Sequence, residues 1–253
     1  MGPLATSFVV FVLVFAGAPL GMALRRALPE EHFGTDAKDT VRLAIGLIVT
    51  MTGLVLGMLV SSAKTYLDSQ KNVIAQMATE VVTLDNLLTL YGPEAKQTRI
   101  EVRRFVEEAI DRIWPKKKSE EFQLRPKSNE GDIYAELQKL VPKNDIQVAA
   151  KAQITSLIID LKRTYWLMFL ESEQTSMSFP LLVVVVSWLI AIFISFGAFA
   201  PSNSTVMVTL LICAMAVSAA IFIIMEMYSP FSGMLKISPV AVRDALHQMA
   251  ADR

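Results

Sequence analysis

The residue types that carry most enzymatic and metal chemistry are sparse in this chain and poorly spaced for it. The two histidines, His32 and His247, are far apart in sequence, and Cys213 is the single cysteine. That excludes a disulfide framework within the chain and a cysteine-based metal site. Glu107-Glu108 and Glu120-Glu121 are adjacent carboxylates in highly charged stretches; a solvated surface is a simpler account of them than a general acid–base pair. No phosphate-cradling glycine loop and no nucleophile motif occurs. We therefore expect no catalytic residue, no metal and no cofactor, and the chain does not read as an enzyme. One spacing is informative. Gly46, Thr50, Gly53, Gly57 and Ser61 follow one another at steps of four, three, four and four, which puts all five on one face of a helix. Such a face supports either of two roles. It lets helices approach closely in lipid, or it lines a path where small residues leave room and hydroxyls touch passing ions. On pattern alone close packing is the simpler account. Thr50, Gly53, Gly57 and Ser61 are the candidates for a pore wall, and Gly46 for packing. Thr209, Cys213, Ala216 and Ala220 repeat the small-residue theme further on, as do Gly17 and Gly21 near the start; these too are packing candidates.

Long uncharged stretches must position these faces. The chain has 253 residues, 53% of them hydrophobic, above the roughly 45–50% usual for soluble domains. No charged residue occurs in Leu4–Leu24, Leu43–Ala63 or Gln174–Met225, and about 20 apolar residues cross a bilayer as a helix. The third stretch is too long for one crossing and is broken by Pro201-Ser202-Asn203-Ser204, a turn signal. The first lacks the leading lysine or arginine of a cleaved signal peptide, so a retained anchor is expected. The sequence thus predicts an all-α integral membrane protein with four transmembrane helices. None carries an internal charge, which disfavours a proton-driven carrier.

Between the second and third spans lies a hydrophilic insert, residues 64–179, with 17 Lys/Arg and 17 Asp/Glu. Three apolar stripes at helical spacing make it helical. The first is Ile74, Met77, Val81, Leu84, Leu88 and Tyr91, ended by Gly92-Pro93. The second is Val102, Phe105, Val106, Ala109, Ile110 and Ile113, closed by Trp114-Pro115. The third is Ile154, Leu157, Leu161, Tyr165 and Met168. The second span is expected to run on into the first stripe as one long helix, and the third stripe likewise to run on towards the third span. The lysine-rich stretch from Lys116 to Gly131 reads as a loop. The remaining divisions are residues 1–63 (spans one and two), 180–226 (a transmembrane hairpin) and 227–253, a tail whose Ser238-Pro239 opens a short helix. Membrane lipids and further copies of the chain are the expected partners, with a soluble protein on the insert as an alternative. Zero formal charge removes the electrostatic footprint of a nucleic-acid binder. Orientation stays open by charge: the insert and tail hold 20 Lys/Arg, but Arg25, Arg26, Lys38 and Arg42 crowd the short connection between spans one and two.

Several short segments, in order, resemble the bestrophin-like family of domains of unknown function, found mainly in bacteria. They are Leu28-Pro29 followed by His32, the run from Val55 to Ala63, and Tyr91-Gly92-Pro93-Glu94-Ala95 followed by Arg99. Pro201 with Asn203, and the run from Met225 to Gly233, complete the set. The resemblance implies a bestrophin-like bundle in a bacterial inner membrane. Bestrophins are pentameric anion channels whose second span lines a neck, with both termini cytoplasmic. By that analogy the chain is a homo-oligomer, a pentamer, with insert and termini in the cytoplasm. Leu56-Gly57-Met58-Leu59-Val60-Ser61 is similar to the bestrophin second span, and Pro230-Phe231-x-Gly233 to the start of its calcium-binding stretch. Here Met234-Leu235-Lys236-Ile237 follows in place of an acidic cluster, so no calcium clasp of that type is expected.

Overall fold

The computed structural model describes residues 2–27, 35–114, 131–174, 179–201, 203–231 and 233–251. Leu28-Pro29, His32, the Lys116–Lys118 run, Glu120-Glu121 and the junction between the third stripe and the third span (residues 175–178) lie outside the described residues. The described residues are helical apart from short connections and the segment leading into the last helix, with no strand. Its helices are α1 (Pro3–Ala27), α2 (Thr35–Tyr91), α3 (Lys96–Ile113), α4 (Gly131–Lys139), α5 (Asp145–Gln174), α6 (Phe179–Phe199), α7 (Ser204–Met227) and α8 (Val240–Ala251), with one 3₁₀ turn at Pro93–Ala95. Four of them, α1, α2, α6 and α7, are long and apolar enough to cross a membrane. α1 and α2 contain the first two uncharged stretches, α6 and α7 divide the third between them at the expected turn, and α2 does continue without a break from span into insert.

The chain divides into two compact units, and the division falls inside α2. One unit comprises Met1–Leu67 with Ser176–Ser229, the other Asp68–Thr175 with Pro230–Arg253. In the first, α1 packs along α6 and α7. Lipid is as apolar as leucine, so what holds such helices together is close contact between small residues. Gly21 and Gly197 are the contact points. A Cβ at Gly21 would lie 1.9 Å from the backbone oxygen of Ile194, and one at Gly197 would lie 2.1 Å from that of Ala18. Gly17 is close but less tight, a Cβ there lying 3.1 Å from Ile190 O. Arg25 Nη1 donates to Ala200 O at 2.9 Å and so ties the end of α1 to the end of α6.

The second unit is stabilised in the ordinary aqueous way. Ile74, Met77, Val81, Leu84, Leu88 and Tyr91 are all buried, as are Val102, Val106, Ala109, Ile110 and Ile113. Each such side chain contributes up to about 1.5–3 kcal/mol by leaving water. On α5 the buried set is Ile154, Ile158, Leu161, Tyr165 and Met168; Leu157 is half-buried because Ile158 takes the inward position beside it. Gly92 ends α2 with φ +112°, a conformation that suits glycine, and Pro93 opens the next turn. Asp85 then anchors α3 through two bonds from Arg99, Nε at 2.5 Å and Nη2 at 2.8 Å. Arg99 Nη2 also reaches Met249 O at 3.0 Å, holding the last turn of α8. The tail belongs to this unit. Trp114 Nε1 donates to Ile237 O at 2.8 Å, its ring meets Phe231 edge-on, and Val242, Ala245, Leu246 and Met249 bury one face of α8.

Candidate functional site

The membrane part of α2 is the least covered span. Of its apolar window 11% is buried, against 33% for α1, 39% for α6 and 28% for α7. Thr52, Leu59, Ala63 and Leu67 make a narrow buried seam, and Tyr66 stacks on Tyr228 with ring centroids 5.6 Å apart. The opposite side is open. Gly46, Thr50, Gly53, Gly57 and Ser61 are all exposed, and a Cβ added at Gly46, Gly53 or Gly57 would meet nothing within 4 Å. Beside them Leu43, Leu54 and Met58 are 77%, 77% and 70% exposed. Among the described residues, the small face therefore packs against no other part of its own chain. The remaining packing candidates divide. Gly17 and Gly21 sit in the α1–α6 contact just described. On α7 the face that packs is Leu210, Ala214, Ser218 and Ile221, while Cys213 and Ala216 point outward and Ala220 is half-buried. Gly46 likewise has no partner of its own chain.

The steps of three and four carry on past the span through Thr65, Ser69, Asn72, Gln76, Thr79, Thr83 and Asn86, every one exposed and uncharged. Sequence reasoning missed this continuation; the signal was the small polar type at each outward position opposite the Ile74–Tyr91 stripe. The threonine hydroxyl hydrogens are spent on the helix itself. Thr50 bonds Gly46 O at 2.8 Å, Thr65 bonds Ser61 O at 2.9 Å, and Thr79 and Thr83 bond Ala75 O and Thr79 O at 3.0 and 2.9 Å. They present oxygen lone pairs outward, leaving the hydroxyls of Ser61 and Ser69 and the amides of Asn72 and Asn86 as side-chain donors. The face is flanked by charge at the end of the span. Lys64 is exposed and, among the described residues, has no carboxylate within ion-pair reach. Lys71 pairs with Asp68 at 3.6 Å.

Catalytic or metal chemistry has no comparable focus. Among the described residues no group of three or more His, Cys, Asp or Glu is placed to hold a metal. The buried acids of the insert, Glu80, Asp85 and Glu101, were not singled out by sequence, and each has a structural partner. Asp85 takes Arg99, Glu101 takes Arg104, and Glu80 accepts from Gln76 Nε2 at 2.8 Å.

Comparison with known proteins gives one match. The family model described as Bestrophin-like domain fits residues 12–242, nearly the whole chain. No curated protein and no solved structure matches it.

Proposed function

The chain belongs to the bestrophin-like family, and on that premise we propose that it is an oligomeric ion channel in which α2 lines the path. The observation that carries this reading is the uncovered small face of α2. A helix with glycines open to nothing, in a span whose neighbours are tightly packed, calls for material from outside its own chain: other copies, and the water between them. Thr50, Gly53, Gly57 and Ser61 form the wall in this reading. The relation to bestrophins favours an anion. Lys64, repeated around a symmetry axis, supplies a ring of positive charge of the kind that favours anions, and the wall carries no carboxylate. Selectivity would be modest, because the threonine oxygens offer lone pairs to either a cation or water. We place the protein in a bacterial plasma membrane, with the insert cytoplasmic and five copies around the axis by the same analogy.

Purified protein in liposomes should pass chloride, and Gly57→Leu should remove most of that flux while leaving the oligomer intact. A correctly assembled oligomer that passes no ion overturns the reading. The alternative is a non-conducting scaffold whose insert binds a soluble partner. It draws on exposed apolar side chains of α5, notably Ile146, Val148, Ile159 and Leu167. Single cysteines at Thr50 and Ser61, in a Cys213→Ser background, separate the two. Water-soluble thiol reagents should label both positions in a channel and neither in a scaffold.

A further inference from the structure

We propose a second site, independent of conduction: a groove between α2 and the α6–α7 hairpin that holds one acyl chain of an anionic phospholipid, its phosphate resting on Arg42 and Arg25. The groove lies wholly within the membrane unit and encloses about 630 Å³, within the ~300–1,000 Å³ range of clefts that hold a small ligand. Its walls are Ile45, Val49, Phe196, Phe199, Val206 and Leu210. The threonines that also line it are Thr205 and Thr209. The Thr209 hydroxyl is already spent on Thr205 O at 2.9 Å, so that side chain adds no donor to the wall. Hydrocarbon suits such a wall, and water does not.

The mouth is different. Arg42 lines it from the first turns of α2, with its side chain 84% exposed. Ala200 lines it from the end of α6, and Ala200 O holds the Arg25 guanidinium at 2.9 Å; among the described residues nothing else takes its remaining N–H groups, which can bond a headgroup. Among the described residues Asp39 is the opposing charge, but it stands 3.8 Å from Arg42 with both groups widely exposed, a geometry worth little. From Arg42 to Val49 the helix descends about 10 Å, so the cations stand at one end of the slot and the apolar walls run inward from them. Basic pockets between transmembrane helices bind lipid headgroups in this way. The charge at the mouth selects the occupant: a phosphodiester with net negative charge is matched by two arginines, whereas a zwitterionic headgroup brings a cation of its own to them. Gly46 also lines the groove and widens it by having no side chain.

The test uses the full-length oligomer in detergent, titrated with phosphatidylglycerol or phosphatidylcholine and read by native mass spectrometry as lipids retained per chain. Wild type should retain phosphatidylglycerol in preference. Arg42→Ala and Arg25→Ala should each weaken that preference about fivefold, the worth of one arginine near an anionic lipid, while Arg42→Lys keeps most of it. Val49→Trp, which fills the slot, should lose both lipids. The proposal falls if Arg42→Ala leaves the lipid preference unchanged. It falls equally if Val49→Trp retains lipid as wild type does, because a neighbouring copy then occupies the groove. Binding of inorganic phosphate as tight as that of phosphatidylglycerol would also overturn it, by showing a bare anion site with no use for the slot.

Discussion

The glycines of α1 and α6 and those of α2 are the same residue put to opposite uses. At Gly21 and Gly197 the missing side chain is filled by the backbone of another helix, 1.9 and 2.1 Å from where a Cβ would stand. At Gly46, Gly53 and Gly57 it is filled by nothing among the described residues. The first set is consumed in making the bundle, whereas the second is left over once the bundle is made. Conformational freedom explains neither, since glycine is unfavourable inside a helix by about 0.5–1 kcal/mol relative to alanine. A glycine kept at that cost needs a neighbour or a passage, and for α2 the neighbour is not in this chain.

The contrast is broken most directly at Gly21. Gly21→Leu drives a side chain into backbone that cannot yield, and overpacking of this kind costs roughly 1–3 kcal/mol or more. Recovery of monodisperse protein after extraction should collapse. Gly57→Ala should do the reverse, leaving assembly unchanged or raising the thermal midpoint slightly through helix propensity. Equal damage at the two positions would show that α2 is packed as α1 is. A loss of similar size is expected at the Asp85–Arg99 pair. Removing one partner of a buried pair costs about 3–5 kcal/mol, and the partial exposure of Arg99 puts this case at the low end. Arg99→Ala should lower the thermal midpoint and release the α8 tail to protease, because Met249 O loses its donor too. An unchanged cleavage pattern would remove Arg99 as the tie between α3 and α8.

A smaller effect sharpens the reading of α2 as a wall. Lys64→Glu replaces a ring of cations with a ring of carboxylates and should lower the chloride-to-sodium permeability ratio several-fold, measured as a shift in reversal potential under a salt gradient. Lys71→Glu should act more weakly, since Asp68 already compensates Lys71. A reversal potential indifferent to Lys64 would take the positive ring out of the mechanism.

Much of the architecture was legible because lipid and water impose different codes. An uncharged run of about 20 residues and a stripe at three-and-four spacing are each produced by one solvent, so α1, α2, α6 and α7 and the insert's buried faces follow from the sequence. The two roles of glycine were not legible. Gly17-xxx-Gly21 and Gly53-xxx-Gly57 have the same spacing, and what distinguishes them is Ile194 beside one and open space beside the other. The tail's short helix was legible from Ser238-Pro239, but where it docks was opaque for a related reason. Trp114 reads as the end of a stripe, and nothing local shows that its indole N–H is matched to Ile237 O over a hundred residues away. The outward stripe of serine, threonine, asparagine and glutamine was overlooked because such residues are ordinary on a solvated helix, and their spacing is legible only against the apolar stripe opposite.

The smallest expected effect lies in the insert, where α2 is packed instead of open. Glu80 stands well beyond the last apolar residue of the span, buried on the inward side of α2. Burial raises its carboxyl above the usual range and the charge of Asp160 adds to this, while the bond from Gln76 pulls it back. A raised acid binds its proton more tightly folded than unfolded. Its contribution is therefore fully present below the ordinary glutamate pKa of about 4.3 and is lost as pH rises through the folded value. At neutral pH the ionised carboxylate costs the fold some stability. Glu80→Gln keeps an acceptor for Gln76 and removes the charge, so it should raise the apparent thermal midpoint at pH 7–8 by a few degrees. The gain should vanish by about pH 4, where wild type is protonated as well. Asp160→Asn should act in the same direction and more weakly, because burial outweighs that charge. A lower midpoint for Glu80→Gln at pH 8 would mean that the carboxylate is held by a favourable contact, and that α2 in the insert carries a charge it needs.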